Sequence, residues 1–129
     1  MTDAELIAIA SGLSGKFTPS EDVTAGGVAA ALVTARGHVF TGICVDASCS
    51  LGFCAEHAAI AEMLKARESE IRTIVAVNGS RGIAAPCGRC RELIWQVSPR
   101  NAETRVLLAP DRAVLLRDLL PAPWRAPAP

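Results

Sequence analysis

The chain predicts an α/β fold in which a sheet lies between layers of helices, and three observations carry that expectation. Segments with helical spacing alternate with short apolar runs in the order helix, two strands, helix, strand, helix, two strands. Half of the residues are apolar and 20% are charged, the balance of a globular chain rather than a disordered one. With 129 residues, no internal repeat and no composition shift, the chain reads as one domain over 1–129 with its core over about 20–124.

Residues 3–13 place Leu6, Ile7, Ile9, Ala10 and Leu13 at helical spacing, with Asp3 and Glu5 in the first turn, where the dipole favours acids. Residues 14–27 are rich in Gly, Ser, Thr and Pro and read as a loop. Val28–Thr34 is a buried strand; Ala35-Arg36-Gly37 turns, and His38–Val45 returns as a second strand, His38 being solvated surface. After a loop from Asp46 to Phe53, a helix is expected from Cys54 to about Arg67, with Ala59, Ile60, Met63 and Leu64 on its apolar face. Thr73–Val77 is a strand covered on both faces. A loop from Asn78 to Ala85 follows, and Pro86 opens a helix that Ser98-Pro99 stops. Thr104–Ala109 and Ala113–Leu116 complete five strands, and the Pro/Ala-rich tail over 122–129 reads as partly disordered apart from Trp124.

Thirteen basic and thirteen acidic residues give zero formal charge, which leaves no nucleic-acid footprint and favours a free small-molecule substrate. No basic segment precedes an apolar run at the start, and no apolar stretch approaches the length of a membrane span, so the expected compartment is the cytoplasm. Five cysteines without a signal segment point to metal or redox chemistry rather than a disulfide framework.

The chemistry concentrates in Cys54-Ala55-Glu56 and in Pro86-Cys87-Gly88-Arg89-Cys90. Cys54, Cys87 and Cys90 can fill three corners of a zinc tetrahedron and leave the fourth for water. Both groups fall at expected helix N-termini, which stabilise thiolates. Three thiolates outweigh the charge of one zinc ion, so nearby groups must offset them; His57, Arg81, Arg89 and Arg91 are the candidates. Glu56 can take a proton from the water, deliver it to N3 of a cytosine-type ring attacked at C4, and protonate the departing amine. A closed structural site with Cys44 or Cys49 as fourth ligand, in a zinc-stabilised binding protein, is the non-enzymatic alternative. Trp95 reads as core, and Trp124 either packs on its own subunit or reaches a neighbouring one.

Cys54-Ala55-Glu56 with Pro86-Cys87-Gly88-Arg89-Cys90-Arg91 resembles the small, three-cysteine branch of the cytidine deaminase family. Ser20-Glu21-Asp22, Phe40-Thr41-Gly42, Ile74-Val75-Ala76 and Arg81–Arg91 look most like its blasticidin S deaminase members. The resemblance implies a three-layer α/β/α fold with a mixed five-stranded sheet. It implies one zinc per chain on Cys54, Cys87 and Cys90, Glu56 as proton shuttle, and ring contacts from Ala55 and from Ala85 or Pro86. It also implies a role in pyrimidine salvage and a homotetramer with shared active sites, which Trp124 could reach. The family's ribose-binding Asn-x-Glu pair stands here as Cys44 and Asp46, a poorer pair for sugar hydroxyls. The expected substrate is cytidine or deoxycytidine, with a blasticidin S-type or other heterocycle as alternative.

Overall fold

The computed structural model describes residues 1–125. Helix α1 (Asp3–Leu13) starts at a capping box: Thr2 accepts from the Glu5 N–H, and the Glu5 carboxylate accepts from the Thr2 N–H. There follow strands β1 (Phe17–Ser20), β2 (Val23–Thr34) and β3 (Val39–Ala47), a short 3₁₀ turn over Ser48–Ser50, and helix α2 (Ala55–Lys65). Strand β4 (Ile71–Asn78) and the short β5 (Gly82–Ala84) precede helix α3 (Gly88–Val97). After a 3₁₀ segment over Pro99–Glu103 come β6 (Arg105–Ala109), β7 (Arg112–Leu115) and the single-turn helix α4 (Leu116–Leu119).

The sheet has seven strands, two more than the sequence suggests. Five of them run in the order β3-β2-β4-β6-β7, all neighbours antiparallel except the parallel pair β4–β6, so the sheet is mixed. The added strands are short. β1 pairs with the start of β2 and β5 with the end of β4, each beyond the reach of the main ladder.

Successive side chains of a strand point to opposite faces, and here both faces are apolar. Ala31, Val33, Val75 and Val77 pack with Leu6 and Ala10 of α1. Ala30, Leu32, Ile74 and Ala76 pack on the other face with Ala59, Ile60 and Met63 of α2 and Ile94 of α3. The result is the expected three layers. Trp95 packs against this second core.

Several local expectations change. The stretch 14–27 is not a loop throughout, because Gly26-Gly27 interrupts β2 instead of ending it. The β2–β3 register shifts between Ala25 and Ala29, and Gly26 takes φ +82°, a bulge that β-branched residues could not make. Leu64, expected on the apolar face of α2, is 40% exposed, while Glu56 occupies a buried position. Pro86 does not open α3; Cys87 is its N-cap, so the proline precedes the helix. His38 is exposed as expected, and its Nδ1 also lies 2.7 Å from the buried Glu68 carboxylate. Residues 126–129 of the expected tail lie outside the described residues. Among the described residues no helix is long and apolar enough to cross a membrane.

Candidate metal centre and active site

Two helix starts meet at the edge of the second core. Cys54 is the N-cap of α2 and Cys87 the N-cap of α3, with Cys90 in the first turn of α3. The α2 start is fixed by Gly42 on β3: a Cβ there would lie 2.4 Å from the Ala59 nitrogen and 2.6 Å from the Ala55 carbonyl oxygen. Only glycine lets the helix rest directly on the strand, which sets the height of Cys54 and Glu56 above the sheet.

The sulfurs of Cys54 and Cys87 are 3.5 Å apart, as are those of Cys87 and Cys90. The Cys54 and Cys90 sulfurs and a ring nitrogen of His57 lie within 4.8 Å of one another. A tetrahedral zinc about 2.3 Å from each thiolate would place sulfurs about 3.8 Å apart, so the donor set fits the ion. His57 Nε2 is buried without a hydrogen-bond partner, an orphaned polar atom beside the cluster. Neither Cys44 nor Cys49 joins the cluster among the described residues.

The thiols respond unequally. At Cys87 burial pushes the pKa up, but the Cys90 N–H, the neighbouring thiols and the Arg89 N–H outweigh it and hold the group below its ordinary value. Burial raises Cys54, aided by Cys87, and raises Cys90, aided by the Glu56 charge. The start of α3 therefore supplies N–H groups that favour the thiolate at Cys87, while burial works against it at Cys54 and Cys90. Glu56 is 5% exposed; burial lifts its carboxyl above the ordinary range against weaker pulls from its own N–H and the Cys90 thiol. Burial, then Arg89, pushes His57 down, so in this environment the imidazole tends to the neutral form.

These groups border a cavity of about 1250 Å³. Cys54, Ala55, Glu56 and Cys87 line it, as do the expected residues Cys44, Asp46, Arg81 and Ala85. Cys90 lies buried behind them. Pro86 and Arg91 do not line it; the Arg91 guanidinium donates to the carbonyls of Pro86 and Leu119 and so ties the ligand loop to the end of α4. Trp124 is 75% exposed and outside this cavity; its N–H donates to Glu92 of α3. Lys16 before β1, Asn78 at the end of β4 and Ser80 in the turn after it also line the cavity, and no sequence pattern marks them as cavity residues.

Three sulfur donors and a buried carboxyl meet beside one cavity of an α/β/α scaffold, a donor set that fits a metal ion, and comparison with known proteins points the same way. Residues 2–104 match the family described as the cytidine and deoxycytidylate deaminase zinc-binding region. The chain is similar to the cytidine deaminase of Burkholderia pseudomallei (34% identity, TM-score 0.75, covering 96% of this chain and 100% of that one). It is also similar to the cytidine deaminase of Mycobacterium tuberculosis (27% identity, TM-score 0.80, covering 98% and 99%). The chain belongs to the cytidine and deoxycytidylate deaminase zinc-binding family. It is a zinc-dependent deaminase, a hydrolase whose cofactor is zinc.

Proposed function

We propose that Cys54, Cys87 and Cys90 hold the zinc and that Glu56 moves the protons in hydrolytic deamination of a cytosine-type nucleoside, cytidine or deoxycytidine, to its uracil form. One observation carries this reading. The Glu56 carboxyl is buried beside the sulfur cluster, lines the cavity, and has no cationic partner among the described residues. When bound, zinc supplies Lewis-acid activation of water. Glu56, its pKa raised by burial, would accept one proton of the water and pass it to the ring nitrogen, then take the second from the hydroxyl added to the ring and give it to the departing amine, which leaves as ammonia. The Ala55 N–H, free at the helix start, and the Ala85 carbonyl hold the ring.

His57 is a half-buried neighbour of Cys54 and Cys90 whose buried Nε2 is able to donate to a thiolate. A second reading, a blasticidin S-type or other cytosine-bearing heterocycle, is favoured by Cys44 and Asp46 standing where sugar contacts are expected. The chain works as one domain in a cytoplasmic homotetramer serving pyrimidine salvage. The exposed Phe17, Leu51, Phe53 and Trp124 support association.

The test is ammonia release by purified protein from cytidine, deoxycytidine, cytosine, guanine and blasticidin S, with zinc content measured alongside. Glu56→Gln is expected to keep about one zinc per chain and lose turnover. Cys87→Ser is expected to lose zinc, whereas His57→Ala keeps it. A chain that holds zinc only while His57 is present, or that turns over only guanine, would sink the ligand or the substrate assignment respectively.

A further inference from the structure

The three sulfurs of the cluster are not held alike. Cys90 is fully buried in the first turn of α3, and Cys54 caps a helix that rests on Gly42. Cys87 is exposed, so packing does not fix it. Arg91, one turn further along α3, reaches both peptide units of Cys87 instead. Its Nε donates to the Pro86 carbonyl at 2.8 Å, in the plane that precedes the Cys87 Cα. Its backbone N–H donates to the Cys87 carbonyl at 3.0 Å, in the plane that follows. With both planes held, Cys87 keeps its φ of −70° and ψ of 172°, and only χ1 is left to direct the sulfur.

The same guanidinium reaches the end of the chain. Its Nη1 donates to the Leu119 carbonyl at 3.2 Å, one of the carbonyls that the close of α4 leaves without a helical partner. The segment offering that carbonyl is anchored on both sides. Leu116 is fully buried and its N–H donates to the Thr104 carbonyl at 2.9 Å, while Thr104 Oγ1 donates to the Ile71 carbonyl at 2.7 Å. Beyond α4, the Trp124 N–H donates to the Glu92 carboxylate at 2.7 Å. Residues 116–124 are therefore a strap fastened to two consecutive residues of α3, Arg91 and Glu92.

Resting on the zinc ligands assigned above, we propose that Arg91 is a positioning residue for Cys87. It keeps the exposed sulfur 3.5 Å from that of Cys54 and 3.5 Å from that of Cys90, and it passes the hold of the C-terminal strap to the ligand loop. Partners that fix a metal ligand from outside govern how firmly the metal stays. A lysine in this place is a point charge where a planar fork spans two carbonyls, so it can replace one bond and not both.

The experiment follows zinc leaving the full-length, zinc-loaded protein into an excess of chromogenic chelator, with the Tm of the zinc-free protein as the measure of the fold. Arg91→Ala is expected to weaken zinc retention about 10–100-fold, seen as faster release, with Arg91→Lys between it and wild type. Glu92→Ala, which frees only the far end of the strap, should give a smaller rise in the same direction. Arg105→Ala removes an arginine that pairs with Asp3 instead, and it should leave release unchanged whatever its Tm. In cobalt-loaded protein, Arg91→Ala should also lose part of the sulfur-to-cobalt charge-transfer absorption, because one thiolate no longer binds steadily. A lower Tm with release and absorption unchanged would show that Arg91 only supports the fold; it overturns the proposal and leaves the ligands standing. Should Arg91→Ala fail to fold, Arg91→Lys and Glu92→Ala decide, and wild-type release in both overturns it. Release from Cys87→Ser as slow as from wild type removes the ligand assignment itself, and the proposal with it.

Discussion

Glu56 and Glu68 stand at opposite ends of α2, the first in its opening turn and the second just past its close, and they are nearly equally hidden, at 5% and 7% exposure. Their chemistry diverges. Glu68 accepts from Thr34 Oγ1 at 2.7 Å and sits 2.7 Å from His38 Nδ1; the Thr34 bond foremost, with His38 and Arg36, holds its carboxyl below the usual range. Glu56 has only the weaker pulls of its own N–H and the Cys90 thiol, and burial pushes it up. One residue type at one degree of burial becomes a clamp where strong donors meet it and keeps a raised pKa, as the proposed proton carrier needs, where they are weak. The clamp joins the β2–β3 turn to the α2–β4 connection, and Glu56 is left facing the cavity.

The contrast can be broken first at Glu56. Glu56→Gln is expected to lower kcat by roughly 10²–10⁴-fold. In zinc-free protein it should also raise Tm at neutral pH. A folded pKa above the unfolded one means that Glu56 contributes stability only below the ordinary carboxylate range and loses it as pH rises, so removing the charge relieves a cost. Thermal scans across pH check the sign, and a Tm unchanged at neutral pH would refute the burial argument.

Gly42→Ala sharpens the comparison by disturbing only the opening turn of α2. Its Cβ would meet the Ala59 nitrogen at 2.4 Å, so we expect a loss of about 1–3 kcal/mol in urea unfolding together with weaker zinc retention. Glu68→Gln should lower Tm by several degrees at neutral pH while leaving zinc content unchanged. Its folded pKa is depressed, so the contribution is present above the ordinary glutamate value and fades as pH falls through the folded one. The gap between wild type and variant should therefore close as pH falls below the ordinary glutamate range. A gap that widens in acid would show that the carboxylate is not the stabilising form. The smallest effect belongs to a pair remote from both glutamates. Arg105 grips both Asp3 oxygens at 2.7 Å in a half-exposed setting, and Asp3→Asn should cost no more than about 1 kcal/mol, with kcat unmoved.

Much of this was legible from residue order. The helices over 3–13, 55–65 and 88–97 follow from periodicity and capping residues, and the long β2, β3, β4, β6 and β7 from their apolar runs. β1 and β5 were hidden. Phe17-Thr18-Pro19-Ser20 is exposed throughout and Gly82-Ile83-Ala84 is only three residues long, so neither has a pattern until a neighbouring backbone offers it partners. Leu64 misled for a related reason: periodicity ranks apolar residues, but packing on Gly42 turned α2 so that Ala55 and Glu56 face inward with the expected Ala59, Ile60 and Met63, and Leu64 does not. The cysteine spacing announced a metal site from composition and order alone. Spacing could not say that N–H groups of α3 would be aimed at the Cys87 sulfur.

What the order of residues determined by itself was the kind of chemistry: three sulfur donors and a carboxyl on two helix starts, which is covalent information carried by identity and separation. What only the tertiary structure decided was the state of those groups. Whether a glutamate is clamped or free, a thiol ionised or not, and which distant lysine and arginine look into the same cavity depend on distances across the fold. Coulomb and desolvation terms follow those distances rather than position along the chain.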